Sequence, residues 1–476
     1  MKRILTVLAG VSLLASFFAA APAPVSAVAP GGWWATPDHV VATRDLNRGP
    51  VGTCTNPDFT SIEAAVEDLD ETNIELPDSW TIGVCKGTHI LTGSINLYYD
   101  EFTFVGQGAS NTVIDGSKIA YYTDGSDDGI IEYSANDITV ANITFKGGAG
   151  TDGGAIYTDL DFYCSSSSFI GNSATNDGGA VYVVGDALLE RCTFRNNTAD
   201  VGGGAVYGEG SVIDYGGNYT LNTADWGGAV AQGASVGPDN TSGFYSSTFT
   251  KNSAVDGNGG AIYADDGDTI VVASRFTGNM STDNGGAIAK QGCSELSELG
   301  SVTPYGLAYL VLDKCTLDIS DSNFLSNTAA GDGGAVASLD LTTGVSITGS
   351  TFQLNRADNG AAVASLGLLD AGQNLFVRNR ASGVGIVTYF ADRVATYCDY
   401  GFDFTDDNGG SPTIEDLDPI YLAAVIDAAD RIDLSANRFS RNIGASTVNY
   451  GTDFGPVPSW VSITELQLNF YCTGPA

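Results

Sequence analysis

The chain has 476 residues, with 56 acidic side chains against 20 basic ones and a formal net charge of −36. Phosphate recognition needs a basic footprint, so no nucleic acid is expected as a partner. Two histidines, His39 and His89, exclude chemistry built on several imidazoles, and 43% hydrophobic residues exclude disorder by composition.

In chain order, Lys2 and Arg3 precede an apolar run from Ile4 to Ala20 and a small-residue stretch ending Val25-Ser26-Ala27. This pattern predicts a cleaved signal peptide over 1–27. Beyond it the expected division is an N-terminal cap region (28–87), repeats (88–395), and a C-terminal insert and cap (396–476) continuing the same domain. No later segment carries the run of about 18 apolar residues that a membrane helix needs. The mature chain is thus expected without a transmembrane segment, secreted or at the cell surface. Eight cysteines without a C-x-x-C pair read as disulfides rather than metal ligands. Proximity in sequence suggests Cys54 with Cys85, Cys164 with Cys192, Cys293 with Cys315 and Cys398 with Cys472, the first and last stapling the two ends.

Internal repeats dominate the middle of the chain. Gly-Gly-Ala-aliphatic motifs begin at Gly153, Gly178, Gly203, Gly227, Gly259, Gly285 and Gly333, with a degenerate copy at Gly360. Interleaved are aromatic-x-x-Asn motifs from Phe169/Asn172 to Phe376/Asn379, with a late copy at Phe439/Asn442. Most spacings are 24 to 28 residues, which suits a coil of three short strands per turn rather than a helix pair of about 34. Such a coil cannot bury its inward side chains alone, so neighbours must cover it. The Gly pair supplies a corner, the Phe column an internal aromatic stack, and the Asn column hydrogen bonds between coils. The architecture predicted is all-β, a parallel β-helix (solenoid) of roughly 12 coils from about Thr88 to Ala395.

The Gly-Gly-Ala-Ile and Phe-x-x-Asn pairs resemble the repeat of the chlamydial polymorphic outer-membrane proteins, which are surface adhesins. The opening segment resembles the first coils of pectate-lyase-like proteins. There Phe59 to Val66 looks like their capping helix, and Val84-Cys85-Lys86-Gly87-Thr88-His89, Val105 to Gly108 and Val113 to Gly116 look like their opening strands. Both resemblances imply a right-handed parallel β-helix with a short N-terminal capping helix; a stapled C-terminal cap is expected from Asn469 to Ala476. A helix also makes physical sense there, because it covers an open sheet edge. The adhesin family ends in a membrane β-barrel, whereas residues after 395 lack its series of alternating strands of about ten residues.

Candidate sites follow from the columns. Asp177, Asp200, Asp225, Asp256, Asp283 and Asp332, together with Asp152 and Asp358, stand just before the small-residue pairs. Stacked carboxylates repel, and calcium would relieve that with oxygen ligands; Asx turns explain the same residues without an ion. Tyr157, Tyr182, Tyr207 and Tyr263 face outward if Ile156, Val181, Val206 and Ile262 face inward, and would then contact sugar rings or a partner, or simply pack across strands. Between Gly285 and Gly333 lie two coils or one coil with a loop, whose Tyr305 and Tyr309 are further binding candidates. A short helix is expected from Thr413 to Asp430.

Support for catalysis is thin. Asp127-Asp128, Asp265-Asp266 and Asp406-Asp407 are adjacent acids, and Arg191, Arg195 and Arg275 are available bases. None sits in a Gly-His-Gly, Trp-x-Asp-His, Arg-x-Pro-x-x-Arg or Gly-x-Ser-x-Gly context, so no catalytic residue is assigned. The function expected is non-catalytic, adhesin-like binding of a glycan or cell-surface protein. The alternatives are a calcium-dependent polysaccharide lyase or glycoside hydrolase on this scaffold, and a structural envelope protein.

Overall fold

The computed structural model describes residues 40–43, 54, 57–70, 79–97, 101–119, 129–134, 137–233, 240–292, 315–339, 343–365, 368–382, 387–389 and 437–442. One coil consists of Ala187–Glu190, Thr193–Arg195, Thr198–Ala199 and Val206–Gly208. Each stretch lies in parallel register on its counterpart one coil on: Ala187 on Val212, Thr193 on Asn218, Thr198 on Thr223, Val206 on Val230. Stacking builds four sheets, called I to IV in the order the chain visits them. Among the described residues sheets I and II have twelve strands each, sheet III nine and sheet IV eleven. The fold is thus the expected all-β parallel solenoid, with four strands per coil in place of three. The extra strand is the two-residue step between the Asn corner and the Gly-Gly corner. At two residues it is too short for alternation to mark it as a strand, although an Ala two positions after most column Asn residues recurs, and it still pairs with its neighbours.

Inside, the Phe column forms one continuous stack. Phe169, Phe194, Tyr219, Phe249, Phe276, Phe324, Phe352 and Phe376 follow one another with ring centroids 4.6 to 5.0 Å apart. Every ring through Phe376 is buried, each contributing roughly 2–3 kcal/mol of hydrophobic stabilisation. The Asn column turns the corner from sheet II to sheet III. Asn197 Nδ2 donates to Phe169 O (3.0 Å) and Asn222 Oδ1 (3.1 Å), and the same Oδ1 accepts from Asn197 N (3.0 Å). This pattern repeats from Asn172 to Asn442 and satisfies backbone groups that the bend removes from the sheets.

A second ladder stands at the corner from sheet I to sheet II, two residues before each column aromatic, where Ser recurs among Cys, Gly and Asn. There Ser247 N donates to Ser274 Oγ (3.0 Å), Ser274 N to Ser322 Oγ (3.1 Å), Ser322 N to Ser350 Oγ (3.1 Å) and Ser350 N to Asn374 Oδ1 (2.8 Å). The third corner belongs to the glycines. Gly203 has φ 61°, and a Cβ on Gly204 would stand 2.4 Å from Gly228 O of the next coil. The first glycine therefore supplies a left-handed turn and the second permits close backbone approach. Gly204→Ala is expected to lower stability by about 3 kcal/mol, read from the urea midpoint, because backbone rather than a pliable side chain blocks the methyl group.

At the N-terminal end, helix Ile62–Asp70 packs on strands Val40–Thr43, Ser79–Val84 and Ile95–Leu97. Ser61 Oγ accepts from Ala64 N (3.1 Å) as its N-cap, and Ile62, Ala65 and Val66 are buried. Val40–Thr43 pairs antiparallel with Ser79–Val84 and so covers the first edge of sheet I. Disulfides join Cys54 to Cys85 and Cys164 to Cys192. The long gap after Gly285 is a single coil with an insertion: Ile288–Lys290 pairs directly with Val336–Ser338, and Asp268–Val272 with Cys315–Ser320. The inserted residues 291–314 therefore leave from the corner between sheets IV and I. Cys315 is disulfide-bonded. Its expected partner Cys293, and Tyr305, Tyr309, Cys398, Cys472, the leader and the 413–430 helix, lie outside the described residues.

Candidate binding surface

The Gly-Gly corner fixes which way sheet IV presents its side chains. Ala155 and Ile156 are both fully buried, so the alternation puts Tyr157 outside and Thr158 inside. Tyr157, Tyr182 and Tyr207 accordingly stack along the outer face, with centroids 5.2 Å apart and planes within 4°. The stack ends at Tyr207 because its register partner on the next coil is Ala231. Tyr263, one coil further, packs instead on Trp226, at 5.9 Å. The structure thus gathers three of the four tyrosines and sets the fourth against a tryptophan that sequence reasoning missed. The available signal was Trp226 itself, which precedes Gly227 where most other copies carry Asp or Asn.

Hydrogen bonding orients the row. Tyr157 Oη donates to Asp159 Oδ1 (3.0 Å), and Tyr182 Oη donates to Glu209. Burial and the surrounding carboxylates push Tyr207 up to about 12 and raise Tyr182 and Tyr263 further. These hydroxyls therefore remain protonated donors across the physiological range.

The acidic column lies alongside, at the corner from sheet III to sheet IV. Asp152 Oδ1 accepts from Asn176 Nδ2 (2.8 Å) and Asp177 N (3.0 Å), and Asp177 Oδ1 accepts from Gly202 N (2.7 Å). Further along, Asn284 Oδ1 accepts from Asp332 N (2.8 Å), and Asp332 Oδ1 accepts from Asn359 Nδ2 (2.9 Å). Burial is the main cause that lifts Asp177 to about 6, with Asp152 and Glu209 adding repulsion against the opposing Gly202 N–H. Asp225 is raised by burial and then by Asp256 and Asp200. Among the described residues, no three His, Cys, Asp or Glu side chains gather where they could hold a metal ion.

Two buried ionisable groups stand apart from both columns. Lys290 points into the solenoid, where its Nζ donates to Asp266 O (2.6 Å). Burial draws it down to about 8 despite Asp265, Asp266 and Asp268. At this convergence of carboxylates the positive charge comes from the chain itself. Asp214, wholly buried, takes the lumen position that Leu189 and Phe244 fill on adjacent coils. The arginines proposed as bases lie elsewhere: Arg195 and Arg275 on sheet II, Arg191 at the corner leading into it. Asp127-Asp128 and Asp406-Asp407 fall outside the described residues.

Among the described residues, no helix is long and apolar enough to cross a membrane. A search of curated proteins and of solved structures finds no match to the chain. The family model for the Chlamydia polymorphic membrane protein repeat matches residues 166–184, 191–209 and 246–265. Each matched stretch starts at or beside the corner into sheet II, carries the aromatic-x-x-Asn pair, and runs into or through the Gly-Gly-Ala turn and its sheet IV strand. The chain therefore carries repeats of the Chlamydia polymorphic membrane protein type, built as coils of a parallel β-solenoid.

Proposed function

We propose that the protein is an adhesin-like surface solenoid whose outer face binds a glycan or cell-surface partner without catalysis. The observation that carries this reading is the outward tyrosine row on sheet IV: aromatic side chains with fixed hydroxyl donors, held by a rigid scaffold. Tyr and Trp are enriched at recognition surfaces because they give large contact areas at little entropic cost. Repeats of the polymorphic membrane protein type support a place at the cell surface.

The test is attachment of protein-coated beads to cultured cells and to a panel of immobilised glycans, with calcium and with a chelator. Tyr182→Ala with Tyr207→Ala is expected to weaken attachment about tenfold, while the Phe pair, which keeps the stack, loses less. Attachment that needs calcium would assign an ion to the Asp column. Release of reducing ends from a polysaccharide would replace this reading with the lyase or hydrolase one. No attachment and no release would leave the structural envelope role.

A further inference from the structure

Charge is unevenly distributed around the rod. Among the described residues, Lys146, Arg195, Arg275 and Arg438 lie on sheet II, Arg191, Lys251, Arg378 and Arg441 at its corners, and Arg356 and Arg380 on the last two strands of sheet III. The acids concentrate elsewhere: Asp152, Asp177, Asp200, Asp225 and Asp256 along the corner from sheet III to sheet IV, Asp159, Asp161, Asp186 and Glu209 along the corner from sheet IV to sheet I.

On the first of those acidic corners, and on the sheet III strand leading into it, stands an exposed apolar ridge. Trp226 is 45% exposed, Val255 48% and Met280 48%, on three successive coils. The backbone places them diagonally: Val255 N donates to Ala224 O two residues before Trp226, and Met280 is in register with Ser253 two residues before Val255. The Trp226 indole lies over Gly257, where a Cβ would come within 2.1 Å of Cδ1, and packs on Tyr263. Asp225 precedes the tryptophan in sequence, and burial first, then the charges of Asp256 and Asp200, oppose its ionisation. Three large apolar side chains exposed together on a rigid face differ from the single exposed residues that any surface carries.

We propose that the ridge of Trp226, Val255 and Met280, with its rim of Asp200, Asp225 and Asp256, docks a basic protein surface. This names the partner class of the adhesin reading above and rests on it. Charge complementarity selects the occupant. An Arg- or Lys-rich face meets carboxylates at the rim and an indole at the centre, which suits a guanidinium through stacking and cation–π contact. The field of a chain with net charge −36 draws such a partner in and repels acidic glycans. A polyanion would have to dock on sheet II or at the far end of sheet III, where Arg356 and Arg380 stand, against that field.

Biolayer interferometry on the purified protein tests this with two probes, a nona-arginine peptide and a heparin oligosaccharide. Trp226→Ala combined with Asp225→Asn and Asp256→Asn is expected to weaken peptide binding about tenfold, and Trp226→Ala alone about threefold. Asp161→Asn with Asp186→Asn removes the same two charges at the other corner and is expected to change binding less than about twofold. Equal loss from both sets, tighter binding of heparin than of peptide, or no peptide binding would each overturn the proposal. Unchanged urea midpoints confirm that the variants fold. Bead attachment to cells separates the two levels. Attachment that survives the ridge variant overturns the ridge and leaves the adhesin reading standing, whereas beads that never attach overturn the adhesin reading itself.

Discussion

Replacing Asn252 by alanine is expected to be among the most damaging single substitutions in the chain. Its Nδ2 donates to Tyr219 O (3.1 Å) and to Asn279 Oδ1 (3.1 Å), while its Oδ1 accepts from Asn222 N (3.0 Å) and Asn222 Nδ2 (3.1 Å). All of these groups are buried, so truncation strands the Asn222 N–H and the Tyr219 carbonyl without water to replace the lost partner. With each stranded group costing about 1–3 kcal/mol, the expected loss is about 4 kcal/mol. Coils depend on their neighbours, so the effect should be strongest locally. Hydrogen exchange at the Asn222 amide is the direct measurement, and slowed exchange equal to that of the parent would refute the ladder's role. Asn252→Asp provides a second reading. An ionised carboxylate there would face Tyr219 O and Asn279 Oδ1, so this variant should be least stable at neutral pH and partly recover in acid.

Asp214 gives the second large effect, through pH. The neighbouring serine ladder lacks a side chain at Gly217, and Asp214 fills the gap: its Oδ2 accepts from Ser247 Oγ (2.5 Å) and Gly217 N (3.2 Å). A Cβ on residue 217 would fall 2.5 Å from both carboxylate oxygens, so the glycine and the aspartate require each other. Oδ1 has no hydrogen-bond partner, and neither has the buried hydroxyl of Tyr219. Burial, outweighing the two hydrogen bonds, raises this carboxyl from 3.8 to about 7.

The folded chain thus holds a proton that the unfolded chain releases near pH 4. Asp214's contribution to stability is greatest in acid, falls as pH rises from about 4 to about 7, and is flat above. The total decline is on the order of 4 kcal/mol. Urea midpoints across this range, compared with Asp214→Asn, should show the parent losing stability relative to the variant as pH rises. Parallel curves would sink the assignment. A companion pair, Asp214→Leu with Gly217→Ser, copies the leucine and serine found at these positions on other coils. It is expected to be at least as stable as the parent at pH 7, whereas Asp214→Leu alone leaves unfilled the space beside Gly217 that the carboxylate occupies.

What the sequence disclosed and what it withheld divide along physical lines. The Phe, Asn and Gly-Gly columns were legible because one residue type answers one geometric demand on every coil. The serine ladder left a fainter mark: Ser167, Ser247, Ser274, Ser322 and Ser350 each stand two residues before the column aromatic, but Cys192, Gly217 and Asn374 interrupt the series. The outward direction of Tyr157, Tyr182 and Tyr207 followed once Ile156, Val181 and Val206 were taken as inward, an assumption the burial of all three supports. Trp226 showed only as a departure from the Asp or Asn that most copies carry before the Gly pair, and Asp214 resembles any other acid in an acidic chain, so it could not be singled out without the register that places it. The two-residue strands of sheet III fall below the length at which alternation can be read.

The direction of the hydrogen bonds has a mechanical consequence. In parallel sheets stacked coil on coil, the bonds between coils run along the axis of the rod, so tension on its two ends pulls them open one coil at a time. Such a structure yields progressively, each coil lengthening the tether while the next still holds. The Cys164–Cys192 disulfide joins successive coils and sets a covalent stop within that sequence. A rod anchored at one end and attached at the other would extend under shear flow before it let go.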